Sequence, residues 1–351
     1  MSDLTTRIVP SLASVDAAQW NALEHGSSPF SEYGFLRALE RSASVGPESG
    51  WEPAYVLVEA SADLGAERAE TAGREIPRPR LVGAVAAYVK AHSYGEYIFD
   101  WAWARAAERA GLRYYPKLVV AVPMTPATGQ RLLVAKDVSR GPVVARLVDG
   151  VRTVAERRRC SSVHWLFTTA AEQAELREHG FLPRASFQYH WHNAGYASFD
   201  EFLARMTSRR RKQLRKERVR VQAAAPGVEW VGGAELTAED CATIDRFYRV
   251  TTQNHFGQDY LQPGFFQAVV EERPLNIVCV FHEHGGGTSR PDPDQNLALQ
   301  SSGAAGGCLV LCGWSIPDRR CVCTFWAHRT TPPPHCTAKD CVRGHQSFAR
   351  P

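Results

Sequence analysis

The sequence predicts an α/β fold made of two successive cycles of helices and strands. Apolar residues recur at helical spacing in some segments, such as residues 31–42, and form short strand-like runs in others, such as residues 81–89. The two kinds of segment alternate over residues 1–281, which is typical of a layered α/β protein. With 44% apolar and 22% charged residues, the composition is that of a globular chain and excludes general disorder.

The first cycle is predicted to form a domain over residues 1–195. A polar segment, residues 60–80, is expected to be a surface loop between two paired strands. Helices are predicted over residues 16–25, 31–42, 142–159 and 170–179, and strands over 54–59, 81–89, 97–100, 118–122, 162–167 and 186–192.

The second cycle, residues 196–281, is predicted to be a partial domain. It opens with a long basic helix over residues 198–222, where Ser198 and Glu201 form a capping box. The cycle stops at the strand that should begin its sheet, so we expect this domain to be truncated. Its other predicted elements are strands over 228–231 and 276–281 and helices over 237–251 and 263–272.

Residues 282–351 differ from the rest of the chain in composition. Eight glycines, seven prolines and six of the nine cysteines fall here, and no helical or strand periodicity is evident. We therefore predict a disordered, aberrant tail, which a frameshift, a retained intron or a mispredicted gene end would explain. The cysteine spacings do not form paired C-x2-C motifs, so no zinc site is expected.

Several features indicate a soluble, cytoplasmic protein. The longest apolar run, residues 81–89, is about half the ~18 residues that a membrane-spanning helix needs. Asp3 and Arg7 precede any apolar stretch, so no signal peptide is predicted. The three cysteines before residue 282 fit a reducing compartment.

Positive charge is concentrated in residues 205–220. This segment carries nine basic residues and one acidic residue, Glu217, in a chain whose formal net charge is only +4. A solvated helix face and a nuclear-localisation signal are both open interpretations. Mutual repulsion opposes packing so many cations together, so we favour a binding site for phosphate groups. The candidate binding residues are Arg210, Lys212, Arg215 and Lys216.

An aromatic block over residues 92–103 holds the candidate catalytic residues. Glu96, His92 and Asp100 lie among five tyrosine, phenylalanine and tryptophan side chains. Aromatic surroundings lower the local dielectric and raise a carboxylate pKa towards the range of a general base. Tyr94 and Trp101 are candidate substrate contacts. The alternative is a strand whose aromatic residues fill the core while its carboxylates face water.

Three further segments supply candidate substrate-binding residues. Tyr115 and Lys117 lie at the start of a predicted strand, and Thr125 lies in a loop whose backbone N–H groups could face an anion. An ordinary strand-to-helix connection is equally compatible with that loop. Gln188 and His190 alternate with His192 on one strand face. No third ligand accompanies this histidine pair, so we expect a structural role and no metal.

These segments together resemble the FemAB-like branch of the GNAT acyltransferase superfamily. The resemblance covers residues 28–281 and implies two tandem GNAT-like domains with mixed sheets. It also implies transfer of an acyl group from acyl-CoA, or of an aminoacyl group from aminoacyl-tRNA, to an amine such as that of a cell-wall precursor. The segments that carry the resemblance are residues 92–101, 110–118, 122–129, 188–193, 195–202 and 208–218.

Such a reaction requires a deprotonated amine, an oriented carbonyl and stabilisation of the oxyanion. From residue type, Glu96 or His92 is the candidate proton acceptor, and Asp100 an orienting group. The loop over residues 123–141 lacks the Arg/Gln-x-x-Gly-x-Gly/Ala turn common in CoA-dependent members. Two alternatives remain: a non-catalytic module that binds an anionic cell-wall precursor or RNA, and a nucleic-acid protein that uses the basic helix alone.

Overall fold

The computed structural model describes residues 4–26, 28–61, 79–98, 100–185, 194–224, 227–254, 258–272, 276–283, 311–315 and 320–324. The chain divides into two compact units. The first comprises residues 1–186 and 260–268, and the second comprises residues 187–259 and 269–351. A short segment from late in the chain thus belongs to the first unit. The tandem GNAT-like arrangement, with boundaries after residues 195 and 281, stays a prediction.

The first unit contains two four-stranded sheets, which confirms the α/β class. One sheet is antiparallel throughout, in the order β1 (Leu4–Val9), β3 (Tyr55–Ala60), β4 (Arg80–Val85), β7 (Leu133–Val134). The other is mixed, because its last pair is parallel, and its order is β2 (Glu52–Pro53), β5 (Ala87–Lys90), β6 (Lys117–Val120), β8 (Val163–Trp165).

The chain leaves the sheets between β6 and β7. These strands pair with β5 and β4, which are themselves separated only by Ala86, so residues 121–132 form an excursion. The backbone N–H groups of Arg131 and Leu132 donate to Glu172 Oε1 at 2.6 and 2.7 Å. The buried Arg131 side chain donates to the carbonyl of Leu166 at 3.0 Å. These bonds fix the end of the excursion.

Helix α4 covers the antiparallel sheet, and two glycines allow the close approach. A Cβ atom at Gly83 or Gly150 would lie 2.4 Å from a methyl group of Val143 or Val56, respectively. Each buried valine or leucine in this layer stabilises the fold by roughly 1.5–3 kcal/mol. The helices of the first unit are α1 (Ala17–Asn21), α2 (Tyr33–Arg41), α3 (Trp101–Arg109), α4 (Arg140–Arg157) and α5 (Ala170–Glu178).

One predicted strand of the first cycle is wrong. The described residues of the predicted strand over 97–100 do not form one: Tyr97 has a positive φ of 57°, and Asp100 directly precedes α3. The alternating aromatic residues suggest a strand, but Gly95, with a φ of 77°, permits a tight turn before them. Alanine-rich sequence then favours the helix that follows. The predicted strand over 186–192 and most of the loop over 60–80 lie outside the described residues.

The second unit contains most of the later helices and a third sheet. The sheet is antiparallel, in the order β12 (Arg320–Thr324), β11 (Leu311–Ser315), β10 (Asn276–Glu283), β9 (Gly227–Gly232). The helices that follow residue 194 are α6 (Phe199–Ala204), α7 (Ser208–Ala224), α8 (Ala238–Asn254) and α9 (Phe265–Glu272), whose first turn belongs to the first unit.

Two predictions for this part of the chain need correction. The predicted single basic helix over residues 198–222 is in fact two helices. Helix α6 ends at Ala204, and Thr207 Oγ1 accepts from Arg210 N at 3.4 Å where α7 begins. The tail contains β11 and β12, so the prediction of disorder is wrong for those ten residues. Both strands are five residues long, too short for a clear periodicity. In the described parts of the chain, no helix has the length and apolar character needed to cross a bilayer.

Candidate functional site

A buried lysine, Lys117, lies at the centre of a charged cluster in the first unit. Its Nζ atom donates to Glu96 Oε2 at 2.8 Å and to Asp100 Oδ2 at 2.6 Å. It also donates to Ser93 Oγ at 2.8 Å. The lysine is fully buried, and the two carboxylates are 2% and 1% exposed. The structure therefore brings together three residues that the sequence analysis singled out separately.

Two tyrosines extend this cluster. The Tyr114 hydroxyl donates to Asp100 Oδ2 at 2.6 Å, and the Tyr115 hydroxyl lies 2.8 Å from Ser93 Oγ. Both tyrosines precede β6, and Lys117 is the first residue of that strand. The strand and the residues just before it thus supply the donors, while the segment from Ser93 to Asp100 supplies the acceptors.

A second buried lysine, Lys90, lies directly opposite Lys117 on the neighbouring strand. The two residues are direct partners in the antiparallel pairing of β5 and β6. Lys90 Nζ donates to the Tyr94 carbonyl at 2.8 Å and lies 3.7 Å from the centre of the Trp51 ring. Like charges in directly opposed positions are destabilising unless they are compensated. Here the two lysines are compensated by the two carboxylates of Glu96 and Asp100.

The two carboxylates differ in how completely they are bonded and in their acidity. Burial alone would raise the pKa of Asp100, but hydrogen bonds from Lys117, Ser93 and Tyr114 outweigh it and lower that pKa to about 2. Burial raises the pKa of Glu96 above its usual value, although Lys117 opposes the shift. Among the described residues, neither Glu96 Oε1 nor Asp100 Oδ1 has a hydrogen-bond partner.

Burial also lowers the pKa of Lys90 to about 7. The charge of this cluster therefore depends on pH in the physiological range. Buried carboxylate oxygens without a donor are costly, by about 1–3 kcal/mol each. A buried carboxylate whose pKa is raised by burial, such as Glu96, is suited to accepting a proton from an amine.

His92, Tyr94 and Trp101 form an aromatic group at the edge of the cluster. The ring centres of Tyr94 and Trp101 are 4.9 Å apart, and those of His92 and Tyr94 are 5.3 Å apart. His92 Nδ1 accepts from Tyr94 N at 3.3 Å, and burial together with the charge of Lys90 lowers the pKa of His92. Both candidate proton acceptors therefore remain candidates.

Of the remaining predicted residues, Thr125 lies outside this cluster. The Thr125 hydroxyl is buried and donates to the Pro123 carbonyl at 3.0 Å, within the excursion between β6 and β7. Gln188 and His190 lie outside the described residues. In the parts of the chain that the structure describes, no group of three or more histidine, cysteine, aspartate or glutamate side chains is placed to hold a metal ion.

The basic candidates lie on α7, in the second unit. Arg210 donates to Gln213 at 3.1 Å, and Arg215 forms an ion pair with Asp200 at 2.9 Å. Lys212 and Lys216 are exposed and have no ion-pair partner among the described residues. Their spacing, together with that of the exposed Arg209, places three cations on one face of the helix. This face is free to bind an anion.

Sequence reasoning missed Lys90, Ser93 and Trp51. Lys90 ends a strand that otherwise reads as apolar, and a charged residue at the end of a buried strand was the available signal. Ser93 and Trp51 gave no such signal, because their roles depend on the turn at Gly95. A Cβ atom there would lie 3.1 Å from Trp51 Nε1.

Comparison with known proteins gives one clear match. The profile of the FemAB-like family, described as peptidoglycan biosynthesis/recognition, matches residues 11–288. The match includes every candidate residue of the buried cluster and of α7. No curated protein matches the chain.

Proposed function

Since this chain belongs to the FemAB-like family of peptidoglycan biosynthesis and recognition proteins, we propose that it is an acyltransferase. It moves an acyl or aminoacyl group from an activated donor, acyl-CoA or aminoacyl-tRNA, to the amine of a cell-wall precursor. The observation that carries the proposal is the pair of buried carboxylates on Lys117, whose pKa values shift in opposite directions. Opposite shifts in adjacent groups are typical of acid–base sites.

The proposed roles follow from these surroundings. Glu96, with a raised pKa and an unpaired Oε1 atom among the described residues, accepts the proton of the acceptor amine. The amine nitrogen then attacks the acyl carbonyl carbon, and the thioester C–S bond or the ester C–O bond breaks. The attacking nitrogen loses its second proton as the amide forms, and the leaving thiolate or ribose oxygen takes it up. Asp100 stays ionised and holds Lys117 and Tyr114 in place.

Helix α7 supports the choice of substrates. Acyl-CoA, aminoacyl-tRNA and nucleotide-linked precursors all carry phosphate groups, and arginine and lysine are the usual residues that bind them. The exposed cations of α7 repel one another, which is unfavourable for a helix that has only to fold. Binding to such a substrate offsets that repulsion.

The proposal is tested by measuring acyl transfer in Glu96→Gln. The purified protein is incubated with acetyl-CoA or aminoacyl-tRNA and a nucleotide-linked muropeptide that has a free lysine amine, and the product is detected by mass spectrometry. Loss of a general base lowers kcat by about 10²–10⁴-fold. Muropeptide binding by calorimetry should be unchanged. Glu59→Gln, which removes a half-buried carboxylate paired with the exposed Arg7, is the control.

Full activity in Glu96→Gln would show that Glu96 is not the proton acceptor. His92→Ala then tests the second candidate in the same assay. If neither substitution changes kcat, neither residue is the proton acceptor. If the wild-type protein transfers no group from either donor, the proposed reaction is refuted.

The exposed face of α7 also favours a second function, a non-catalytic module that binds an anionic cell-wall precursor or RNA. Such a module would be unaffected by Glu96→Gln but weakened by Arg210→Ala and Lys212→Ala. If RNA is the ligand, the logarithm of its affinity falls by about 0.7 per phosphate contact for each tenfold rise in salt. An affinity that does not change with salt would exclude RNA.

A further inference from the structure

Exposed apolar side chains gather around helix α3. In the described parts of the chain, five large apolar residues are strongly exposed: Tyr94 at 46%, Trp103 at 62%, Leu112 at 67%, Leu182 at 92% and Val219 at 63%. All but Val219 lie on this helix or beside it. The Tyr94 ring contacts the first residue of the helix, and Leu112 follows its last turn. Leu182 is two residues from Arg184, whose guanidinium lies 5.4 Å from the centre of the Trp103 ring.

The helix itself is amphipathic, and none of its nine residues is fully buried. Three of them, Trp101, Ala104 and Ala107, are half-buried, and the other six are exposed. At 100° per residue, Ala102, Ala106 and Trp103 share one exposed side, and Arg105 and Arg109 lie directly beside them. The apolar side of an amphipathic helix normally packs on the core. Here only part of that side packs: Ala104 and Ala107 are half-buried, whereas Trp103 and Ala106 are exposed. The exposed part is available for binding.

Positive charge surrounds this apolar surface. Arg105, Arg109, Arg113 and Arg184 lie on the helix or beside it, against one acidic residue of the helix, Glu108. Among the described residues, none of these arginines forms an ion pair.

We propose that α3 and its flanks form a peripheral binding surface for an anionic lipid bilayer. A helix that lies in a bilayer interface carries tryptophan and leucine on one side and arginine or lysine on the other. Tryptophan prefers the headgroup region, and basic residues are attracted by acidic headgroups. A projecting helix also suits a bilayer, which needs no pocket, better than a protein partner, whose anchoring side chains fill pockets. This inference does not depend on the proposed reaction.

The test is co-sedimentation of the full-length protein with lipid vesicles. Vesicles of phosphatidylcholine are compared with vesicles that also contain about 30 mol% phosphatidylglycerol. We expect binding to the acidic vesicles, weaker binding as salt rises from about 0.1 to 0.5 M, and little binding to the neutral vesicles. Absence of binding to the acidic vesicles would overturn the proposal.

Two double variants locate the surface. Trp103→Ser with Leu182→Ser should weaken the partition coefficient at least roughly tenfold, because both side chains lose their apolar contact with lipid. Arg105→Gln with Arg109→Gln should weaken it by roughly fivefold for each arginine, from about 1 kcal/mol per basic residue near acidic lipid. All four residues are exposed, so far-UV circular dichroism and the unfolding midpoint should not change.

Matched controls come from α7 in the second unit. Val219→Ser removes an equally exposed apolar residue, and Lys212→Gln with Lys216→Gln removes the same charge as the arginine variant. Both controls should keep vesicle binding. If the lysine variant abolishes binding and the α3 variants do not, the surface is α7 and the proposal fails. It also fails if sedimentation velocity shows a dimer that Trp103→Ser with Leu182→Ser dissociates, because a second copy would then cover α3.

Discussion

Charged side chains are concentrated in two regions of this molecule, and they are buried in one region and exposed in the other. In the first unit, Lys117 is fully buried and has a carboxylate or hydroxyl oxygen within 2.8 Å in three directions. In the second unit, Lys212 and Lys216 are exposed and have no ion-pair partner among the described residues. The charges of the first region have buried hydrogen-bond partners, and those of the second are exposed to solvent.

This difference shows what each region can contribute. A buried charge that loses its partner leaves the partner without compensation, so each member of the cluster is needed for stability. An exposed cation on α7 contributes little to stability and is opposed by its neighbours. The cluster therefore has the fixed geometry that the proposed chemistry needs, whereas α7 has the exposed charge that the proposed binding of a polyanion needs. Four predictions test this contrast.

The largest effect is expected for Lys117→Met. The substitution leaves two carboxylates buried without their shared cation, which costs about 3–5 kcal/mol in the free energy of unfolding. Urea denaturation followed by circular dichroism measures this change. Lys212→Met, at an exposed position, should change the same quantity by less than about 0.5 kcal/mol. Equal effects of the two substitutions would show that the contrast is wrong.

The second prediction concerns Lys90, whose pKa is lowered from 10.5 to about 7 by burial. Between these pH values the unfolded chain binds one more proton than the folded chain, so the free energy of unfolding rises with pH. The rise is on the order of 3 kcal/mol between pH 7 and 10. The wild-type protein should show this rise in the free energy of unfolding, and Lys90→Met should not.

The comparison of wild type with Lys90→Met cancels other groups that titrate in this range. The thiols of Cys160 and Cys241 are two such groups, and burial raises the pKa of each. Equally steep profiles for the two proteins would mean that Lys90 keeps an ordinary pKa. In that case its position over Trp51 would not desolvate it.

The third prediction concerns the acid side of the stability profile. The pKa of Asp100 is lowered from 3.8 to about 2, so its contribution is complete above pH 4 and is lost as pH falls through 2. The loss is about 2 kcal/mol. Asp100→Asn should remove this acid-dependent step. Tyr114→Phe, which deletes a donor 2.6 Å from Asp100, should make the step smaller.

Asp137 provides the matched control for that measurement. A hydrogen bond from Arg80 lowers the pKa of Asp137 too, but this carboxylate is exposed, and water and salt screen the pair. Asp137→Asn should therefore keep the acid-dependent step of the wild-type protein. A step that disappears in Asp137→Asn and persists in Asp100→Asn would reverse the assignment.

The sequence predicts the members of the two charged regions better than their arrangement. Glu96, Asp100 and Lys117 stand out among aromatic residues, but Glu96 and Lys117 are 21 residues apart, and their contact depends on a turn. The opposed position of Lys90 and Lys117 depends on the register of β5 and β6, which side-chain periodicity does not specify. The α/β class needs only the alternation of segments, so it is predictable from the sequence.

Helix α3 illustrates a second reason for failure. Its two tryptophans alternate like the aromatic residues of a strand, and none of its residues is fully buried, so no burial pattern marks it as a helix. The break in the basic helix after Ala204 is similar, since only Thr207, at the start of α7, signals a new beginning. Local capping decides such boundaries, and a window of apolar spacing does not detect it.

The fourth prediction, on the lysines of α7, has the smallest expected effect on stability and tests the comparison most directly. Lys212→Gln with Lys216→Gln removes two like-charge pairs at i,i+4 spacing on α7, Lys212 with Lys216 and Lys216 with Arg220, so the free energy of unfolding should rise by about 0.2–0.5 kcal/mol for each pair at low salt. The gain should vanish at about 1 M salt, where charge interactions between exposed groups are screened. The same variant should bind a phosphate-rich ligand more weakly. If this variant gains stability and loses binding, the charges of α7 serve ligand binding at a cost in stability. A variant that lost both stability and binding would show that α7 is structural instead.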